Sequence, residues 1–356
     1  MILYAGSFTE MIDGILGGHG NGISCFRFDP SNGTLQFLHH HLTINPSYLC
    51  IPSTKYLYTH TEVLEVNKPR VQVFKINEYD FSLLLLSELE IPGGCPCHIN
   101  FSKKYNCILV ACYETGNIII YPVGQDGKLL PPRSILQHEG SSVNKLRQER
   151  AHAHAVAVDD NMNKILVTDL GIDKIMVYQM EIKNGKVETK LKQAVPMLPG
   201  SGPRHIIVHA QTKLVYTLNE LSSTITLMDY RDGDLKPLQT YQTLPDDFKE
   251  IPNAAAIRVS EDGKFIYVSE RADDCISIVK FDYDNDTVEI IGRINTMGKT
   301  PRDVILDPTG NWLLIANQDS DSIAIFKVDK AKGMIIPANL VEGIGSPVCL
   351  EWLPAK

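Results

Sequence analysis

P-R-D-V-I-L-D-P-T-G-N-W-L-L-I-A-N-Q-D-S-D-S-I-A-I-F-K-V, residues 301–328, sets three apolar runs between two polar turns. Short apolar runs parted by Gly, Asp, Asn and Ser predict hairpin-connected strands. The same phrase recurs along the chain. It reads N-P-S-Y-L-C-I-P-S-T-K-Y-L-Y-T-H-T-E from Asn45 and C-P-C-H-I-N-F-S-K-K-Y-N-C-I-L-V-A-C-Y-E from Cys95. It returns at Ala153, Pro203 and Ala254, and starts a last time at Ser346. Taking Pro46, Pro96, Ala153, Pro203, Ala254, Pro301 and Pro347 as equivalent, the steps run from 46 to 57 residues. A repeat of about 50 residues holds about four strands, the size of a propeller blade. No stretch keeps a helical period over a dozen residues, so βαβ and helical-repeat architectures fit poorly.

The two ends of the chain complete each other. The last unit has only its first strand, after Ser346. Three strand-like runs stand at the N-terminus: I-L-Y-A-G-S-F (2–8), G-I-S-C-F-R-F-D (22–29) and T-L-Q-F-L-H-H-H-L (34–42). Together they predict an all-β, seven-bladed β-propeller. Its closing blade is shared between the N-terminal strands and the C-terminal strand, in one domain over residues 1–356. Closing the ring removes the sheet edges that an open array would leave unpaired.

Composition narrows the partners. Lys and Arg number 34 against 42 Asp and Glu, a net charge of −8. That balance argues against nucleic acid or an anionic membrane as partner. The longest apolar stretch, Leu83–Leu86, is strand-sized, so no membrane helix is expected. The chain opens on a strand without a basic segment followed by an apolar one, which predicts cytoplasmic residence. Cys25, Cys50, Cys95, Cys97, Cys107, Cys112, Cys275 and Cys349 mostly sit in apolar runs and read as free thiols. His39, His40 and His41 share one strand and alternate faces, a poor metal site. No metal or cofactor is expected. There is no ligand spacing, no dinucleotide fingerprint and no G-x-S-x-G elbow.

The unusual residues fall at one place in the repeat. The first strand of a blade lines the central tunnel, and the second runs back beside it. The start of the first and the end of the second therefore open on one mouth. One step after the small or Pro residue stand Ser47, Cys97, His154, Arg204, Ala255, Arg302 and Val348. The ends of the second strands bring Glu62, Glu114, the 169–173 segment, Asn219 with Glu220, Arg271, and Asn317 with Gln318. His154, Arg204, Glu220, Arg271 and Arg302 thus converge from neighbouring blades, with His152 and His98 beside them. Arg suits planar carboxylate or phosphate, and His exchanges protons near neutral pH. The set predicts a pocket for a small anion with a general acid–base group. The stretch 138–154, H-E-G-S-S-V-N-K-L-R-Q-E-R-A-H-A-H, reads as a long loop that leads directly into His154 and supplies substrate contacts.

These residues carry a resemblance. Y-A-G-S-F-T (4–9), N-P-S-Y-L (45–49), R-Q-E-R-A-H-A-H (147–154), D-L-G-I-D-K-I (169–175), P-G-S-G-P-R-H (199–205), N-E-L-S-S-T-I (219–225), S-E-D-G-K-F-I-Y-V-S-E-R (260–271) and P-R-D-V (301–304) appear in order. The chain resembles the lactonase family of seven-bladed propellers over essentially its whole length. That family includes cycloisomerase-type 6-phosphogluconolactonases and fungal carboxy-cis,cis-muconate lactonizing enzymes. The resemblance implies that His154, Arg204, Glu220 and Arg271 are catalytic. It also implies a substrate such as 6-phosphogluconolactone, a step of the pentose phosphate pathway. His152, Arg302, Arg147, His98, Asn219 and Glu62 are expected to contact substrate. His154 would activate water, Arg204 or Arg271 would stabilise the oxyanion, and Arg302 or Arg147 would hold phosphate. Muconate-type cycloisomerisation is the rival chemistry, and a non-catalytic binding scaffold the rival class. Three departures touch the first blades: Ala151 in place of Pro, A-C-Y-E-T-G at 111–116, and T-H-T-E at 59–62.

Overall fold

The computed structural model describes residues 1–14, 16–183, 186–282 and 287–355. They form seven four-stranded antiparallel sheets arranged as a seven-bladed propeller. Blade 1 is built from Leu49–Ser53, Tyr56–His60, Arg70–Ile76 and Leu83–Glu90. Blade 2 comprises Pro96–Ser102, Cys107–Cys112, Asn117–Pro122 and Ser134–Gln137, and blade 3 Ala153–Asp159, Lys164–Asp169, Lys174–Lys183 and Lys186–Pro196. Blade 4 comprises Pro203–His209, Leu214–Asn219, Thr224–Asp229 and Lys236–Gln242, and blade 5 Ala254–Val259, Phe265–Glu270, Cys275–Asp282 and Thr287–Asn295. Blade 6 comprises Pro301–Leu306, Trp312–Asn317, Ser322–Val328 and Ile335–Glu342. Blade 7 is the composite one. C-terminal Pro347–Trp352 pairs with Ile2–Ser7, and Ile23–Asp29 and Thr34–His41 follow outward.

The middle strands are buried on both faces, so they read as continuous apolar runs such as Cys107–Cys112 and Trp312–Asn317. Outer strands alternate. Lys186–Pro196 buries about every second residue in part and exposes the rest. The core is divided into one apolar cluster per interface between blades. Val110, Ile119 and Val73 join blades 1 and 2, and Leu3, Phe28, Leu314 and Trp352 join blades 6 and 7. The remaining five interfaces carry the same kind of cluster. Burial at about 25 cal/mol per Å² is what holds neighbouring sheets face to face. All eight cysteines are free thiols. His39 Nε2 donates to the Asp80 carbonyl of blade 1 at 3.0 Å, and His41 packs edge-on against Phe74, so the triple histidine spans two faces.

Candidate active site

The mouth is built by one repeated irregularity. In six of the seven blades the first residue of the inner strand pairs with the last residue of the second strand. The pairs include Pro96 with Cys112, Ala153 with Asp169, Pro203 with Asn219 and Pro301 with Asn317. The ladder then skips the next residue. The skipped residues are Cys97, His154, Arg204 and Arg302, with Val348 in blade 7 and Ala255 and Ala256 in blade 5. A β-bulge frees a residue from pairing and re-aims its side chain. In blade 1, Leu49 pairs with Thr59, which gives Ser47 and Glu62 the corresponding places. One step beyond the second strand, two in blade 1, lies a second ring whose amides each donate to the carbonyl before the inner-strand marker: Glu62, Tyr113, Leu170, Glu220, Arg271, Gln318 and Phe8.

Blade 4 holds the charged corner. Glu220 is 3% exposed and takes three guanidiniums: Arg147 at 2.6 Å, Arg204 at 3.0 Å and Arg271 at 3.1 Å. Burial alone would raise its pKa. Arg271, Arg147 and Arg204 overcome that and hold Glu220 well below the usual carboxylate range. The sequence G-P-R-H explains its placement. Gly202 has φ +65°, where a Cβ would meet Leu221, and its carbonyl accepts the Glu220 amide at 2.7 Å. Its own amide donates to Asp173, which also binds Ser142 and the Gly200 amide and so ties the 138–152 loop down. Arg204 is fixed further by His205 Nε2 at 2.8 Å and by the Ala255 carbonyl.

A small pocket, about 20 Å³, opens beside this corner. Ser47, Glu62, Cys97, His154, Arg204 and Arg302 line it, over a floor of Tyr48, His205 and Asp303. His154 is 7% exposed, and its Nδ1 stands 4.0 Å from Cys97 Sγ. Burial, then Arg204, push its pKa well below the ordinary histidine value, with Arg302 and His98 adding to the effect and Glu220 opposing it. His154 is therefore neutral. Arg302 lies over the Phe8 ring at 4.9 Å and donates to Gln318 Oε1 at 3.4 Å, with no carboxylate within 4 Å among the described residues. Burial and Arg204 both work against its charge. Beneath the pocket, Tyr48 stacks on His98 at 4.1 Å, and Arg258 pairs with Asp303 at 3.1 Å. Burial lowers His98 to about 3, so the floor adds no positive charge of its own beyond Arg258. A larger cavity, about 370 Å³, opens between blades 5 and 6 beside Phe265, Tyr267 and Lys330. Those residues belong to the opposite ends of the strands, away from His154.

The structure brings His154, Arg204, Glu220, Arg271, Arg302, Arg147 and Glu62 to one mouth. It uses three others differently. His152 spends both ring nitrogens, on the Tyr113 carbonyl at 2.8 Å and on Glu149 at 3.2 Å. Asn219 turns its amide into the blade, onto Thr224 and Thr226. His98 lies under the floor. Glu114 is not the blade 2 equivalent of Glu220. Tyr113 holds that register, while Glu114 caps the Glu65 amide at 2.8 Å. Tyr113 is a contributor that sequence reasoning passed over: it stacks on His152 at 4.3 Å and meets Arg147 at 3.4 Å. Phe8 is another. It anchors residues 8–14 and 16–22 over blades 7 and 1 with Ile12, Val348, Leu16 and Leu64. Counting from the Pro or Ala to the end of the second strand, then adding one, would have found both.

Residues 2–352 match the family described as lactonase, 7-bladed beta-propeller. The chain belongs to that family. The lactonase-family relatives include a protein of Bacillus subtilis (strain 168) named 6-phosphogluconolactonase, 28% identical over 98% of this chain and 97% of the relative. Another of that name, from Formosa agariphila, is 31% identical over 95% and 96%. Among solved lactonase-like structures, the periplasmic gluconolactonase of Pseudomonas aeruginosa superposes with a TM-score of 0.89 at 28% identity, covering 99% of both chains.

Proposed function

We propose that this chain hydrolyses 6-phosphogluconolactone to 6-phosphogluconate. The carrying observation is Arg302, a pocket guanidinium with no carboxylate within 4 Å among the described residues, set beside an imidazole whose neutral form is favoured. Two relatives named for that activity support the choice of substrate. The mouth has four guanidiniums, Arg147, Arg204, Arg271 and Arg302, against one firmly ionised carboxylate, Glu220. That surplus suits a phosphate dianion.

In the proposed reaction the phosphate rests on Arg302, with half-exposed Arg147 at the rim. The dianion offsets the Arg302 and Arg204 fields that depress His154, so substrate binding itself makes His154 a better base. His154 takes a proton from the attacking water. Arg204 lines the pocket and donates to the carbonyl oxygen as charge builds on it. Arg271 and Glu220 are positioning residues that fix the Arg204 fork. A phosphorylated sugar lactone arises by oxidation of a sugar phosphate, so the reaction belongs to the pentose phosphate pathway in the cytoplasm.

The test is turnover of 6-phosphogluconolactone, corrected for spontaneous hydrolysis, beside unphosphorylated gluconolactone and a muconate absorbance assay. Acceleration of the first, with a preference over the second, is expected. No acceleration over the uncatalysed rate would end the reading.

A further inference from the structure

Glu62 and Glu220 hold the same place in blades 1 and 4: each amide donates to the carbonyl just before the inner-strand proline, Asn45 for Glu62 and Gly202 for Glu220. Their settings are opposite. Glu220 is ringed by three Arg, whereas Glu62 is 4% exposed and has no cation within 4 Å among the described residues. Glu62 faces the pocket that His154 faces, one from blade 1 and the other from blade 3, with the small Cys97 of blade 2 between them. Its backbone is clamped. The Glu62 amide donates to the Asn45 carbonyl at 3.0 Å, and Asn45 Nδ2 donates to the Glu62 carbonyl at 3.0 Å. Asn45 itself is fully buried at φ 40°.

From this geometry, and resting on the lactonase reading, we infer that Glu62 is the general acid that protonates the departing ring oxygen. The charged groups facing it are Arg302 from blade 6 and Arg204 from blade 4. The other titratable groups are His154, Cys97 and Cys95, with His60 at the end of the strand that leads to it. Burial outweighs both Arg and raises the Glu62 carboxyl above its ordinary value, which favours the protonated form. Two carboxyls pushed apart by their surroundings divide acid from charge-holding work.

The step balances. Water oxygen bonds to the carbonyl carbon, and its proton passes to His154. The carbonyl re-forms as the carbon–ring oxygen bond breaks, and the Glu62 proton moves to that oxygen, leaving a hydroxyl. The product acid loses its proton to solvent, and the imidazolium proton returns to Glu62. This separates two roles that a single His154 would otherwise fill in turn.

The experiment is the pH dependence of kcat for 6-phosphogluconolactone in wild type, Glu62→Gln, Glu62→Asp and His154→Gln. Glu62→Gln should lower kcat about 100-fold or more with KM near wild type, and lose the fall in kcat on the alkaline side. His154→Gln should instead lose the acid limb. Glu62→Asp, which keeps an acid, should recover part of kcat with a displaced alkaline limb. If Glu62→Gln does not fold, the displaced limb of Glu62→Asp decides. A Glu62→Gln kcat within about threefold of wild type, a change confined to KM, or an unmoved limb in Glu62→Asp overturns the inference. An inert wild type overturns the lactonase reading instead.

Discussion

Blades 1 and 4 place a glutamate at the same step of the same repeat and make different chemistry from it. In blade 4 the preceding bulge releases Arg204, and the neighbouring connections add Arg147 and Arg271, so Glu220 stays ionised. In blade 1 the corresponding position is Ser47, and the adjoining blade offers Cys97, so Glu62 has a hydroxyl and a thiol beside it and no ion pair within 4 Å among the described residues, with Arg302 and Arg204 acting on it only from farther off. The difference is made by the residue one strand away. Position in the fold sets where a carboxyl points, and its neighbours set whether it carries charge.

The largest test of that contrast is Glu220→Gln. It leaves three guanidiniums facing one another without a counter-charge. Breaking a buried ion pair from one side costs about 3–5 kcal/mol, and the half-exposed Arg147 argues for the lower end. Denaturant unfolding at pH 7 should show that loss, with turnover abolished. The sign with pH follows. Glu220 contributes its stability above the ordinary carboxylate value of 4.5 and loses it as pH falls below that value. Glu62→Gln should cost far less, because the folded protein already favours a neutral group there. Equal destabilisation by the two variants would erase the contrast.

Next in size is Arg302→Ala. A charge-assisted hydrogen bond contributes about 1.5–3 kcal/mol, which predicts a KM for the phosphorylated lactone raised by roughly 10- to 100-fold. Gluconolactone turnover should hardly change. A KM that stays put would mean that phosphate rests elsewhere. Arg147→Ala, on a side chain that is 42% exposed, should raise KM less.

A third carboxyl sharpens the comparison from behind. Glu270 ends the second strand of blade 5, fully buried, and accepts from Ser223 at 2.8 Å and Thr243 at 2.6 Å. Burial lifts its pKa to about 7. Its raised value makes the fold lose stability as pH climbs from about 4.5 to about 7. Glu270→Gln should therefore stabilise the protein more at pH 8 than at pH 5, by on the order of 1–2 kcal/mol at the higher pH. Thermal melts of both proteins at the two pH values check it. A gain independent of pH would show that the carboxyl is not strained by burial.

The sequence disclosed the ring because the blade repeat is written in every unit, and Pro or Ala marks each inner strand. It also disclosed His154, Arg204 and Arg302, since all three sit one step after that marker. What it concealed was the bulge. Without it, strict alternation would put neighbouring residues on opposite faces, and no pattern of apolar residues announces the skip. Blade 2 was misjudged by one step, at Glu114 in place of Tyr113, because a turn of polar residues gives no fixed end to a strand. His152 and Asn219 look like site residues in the one-letter code. Only their hydrogen-bond partners, Tyr113 in the neighbouring blade and Thr226 on the adjacent strand, reveal that their polar atoms are already engaged. The arm that Phe8 anchors stands apart from the seven inner-strand markers, so its contact with Arg302 across the closing blade is a property of the ring.

The most direct measurement is turnover of 6-phosphogluconolactone by His154→Gln beside wild type, with folding of both verified by thermal melting. A loss of about 100-fold or more in kcat, with the melt intact, is what a neutral imidazole acting as base requires. A folded variant that hydrolyses the lactone at the wild-type rate would contradict the account.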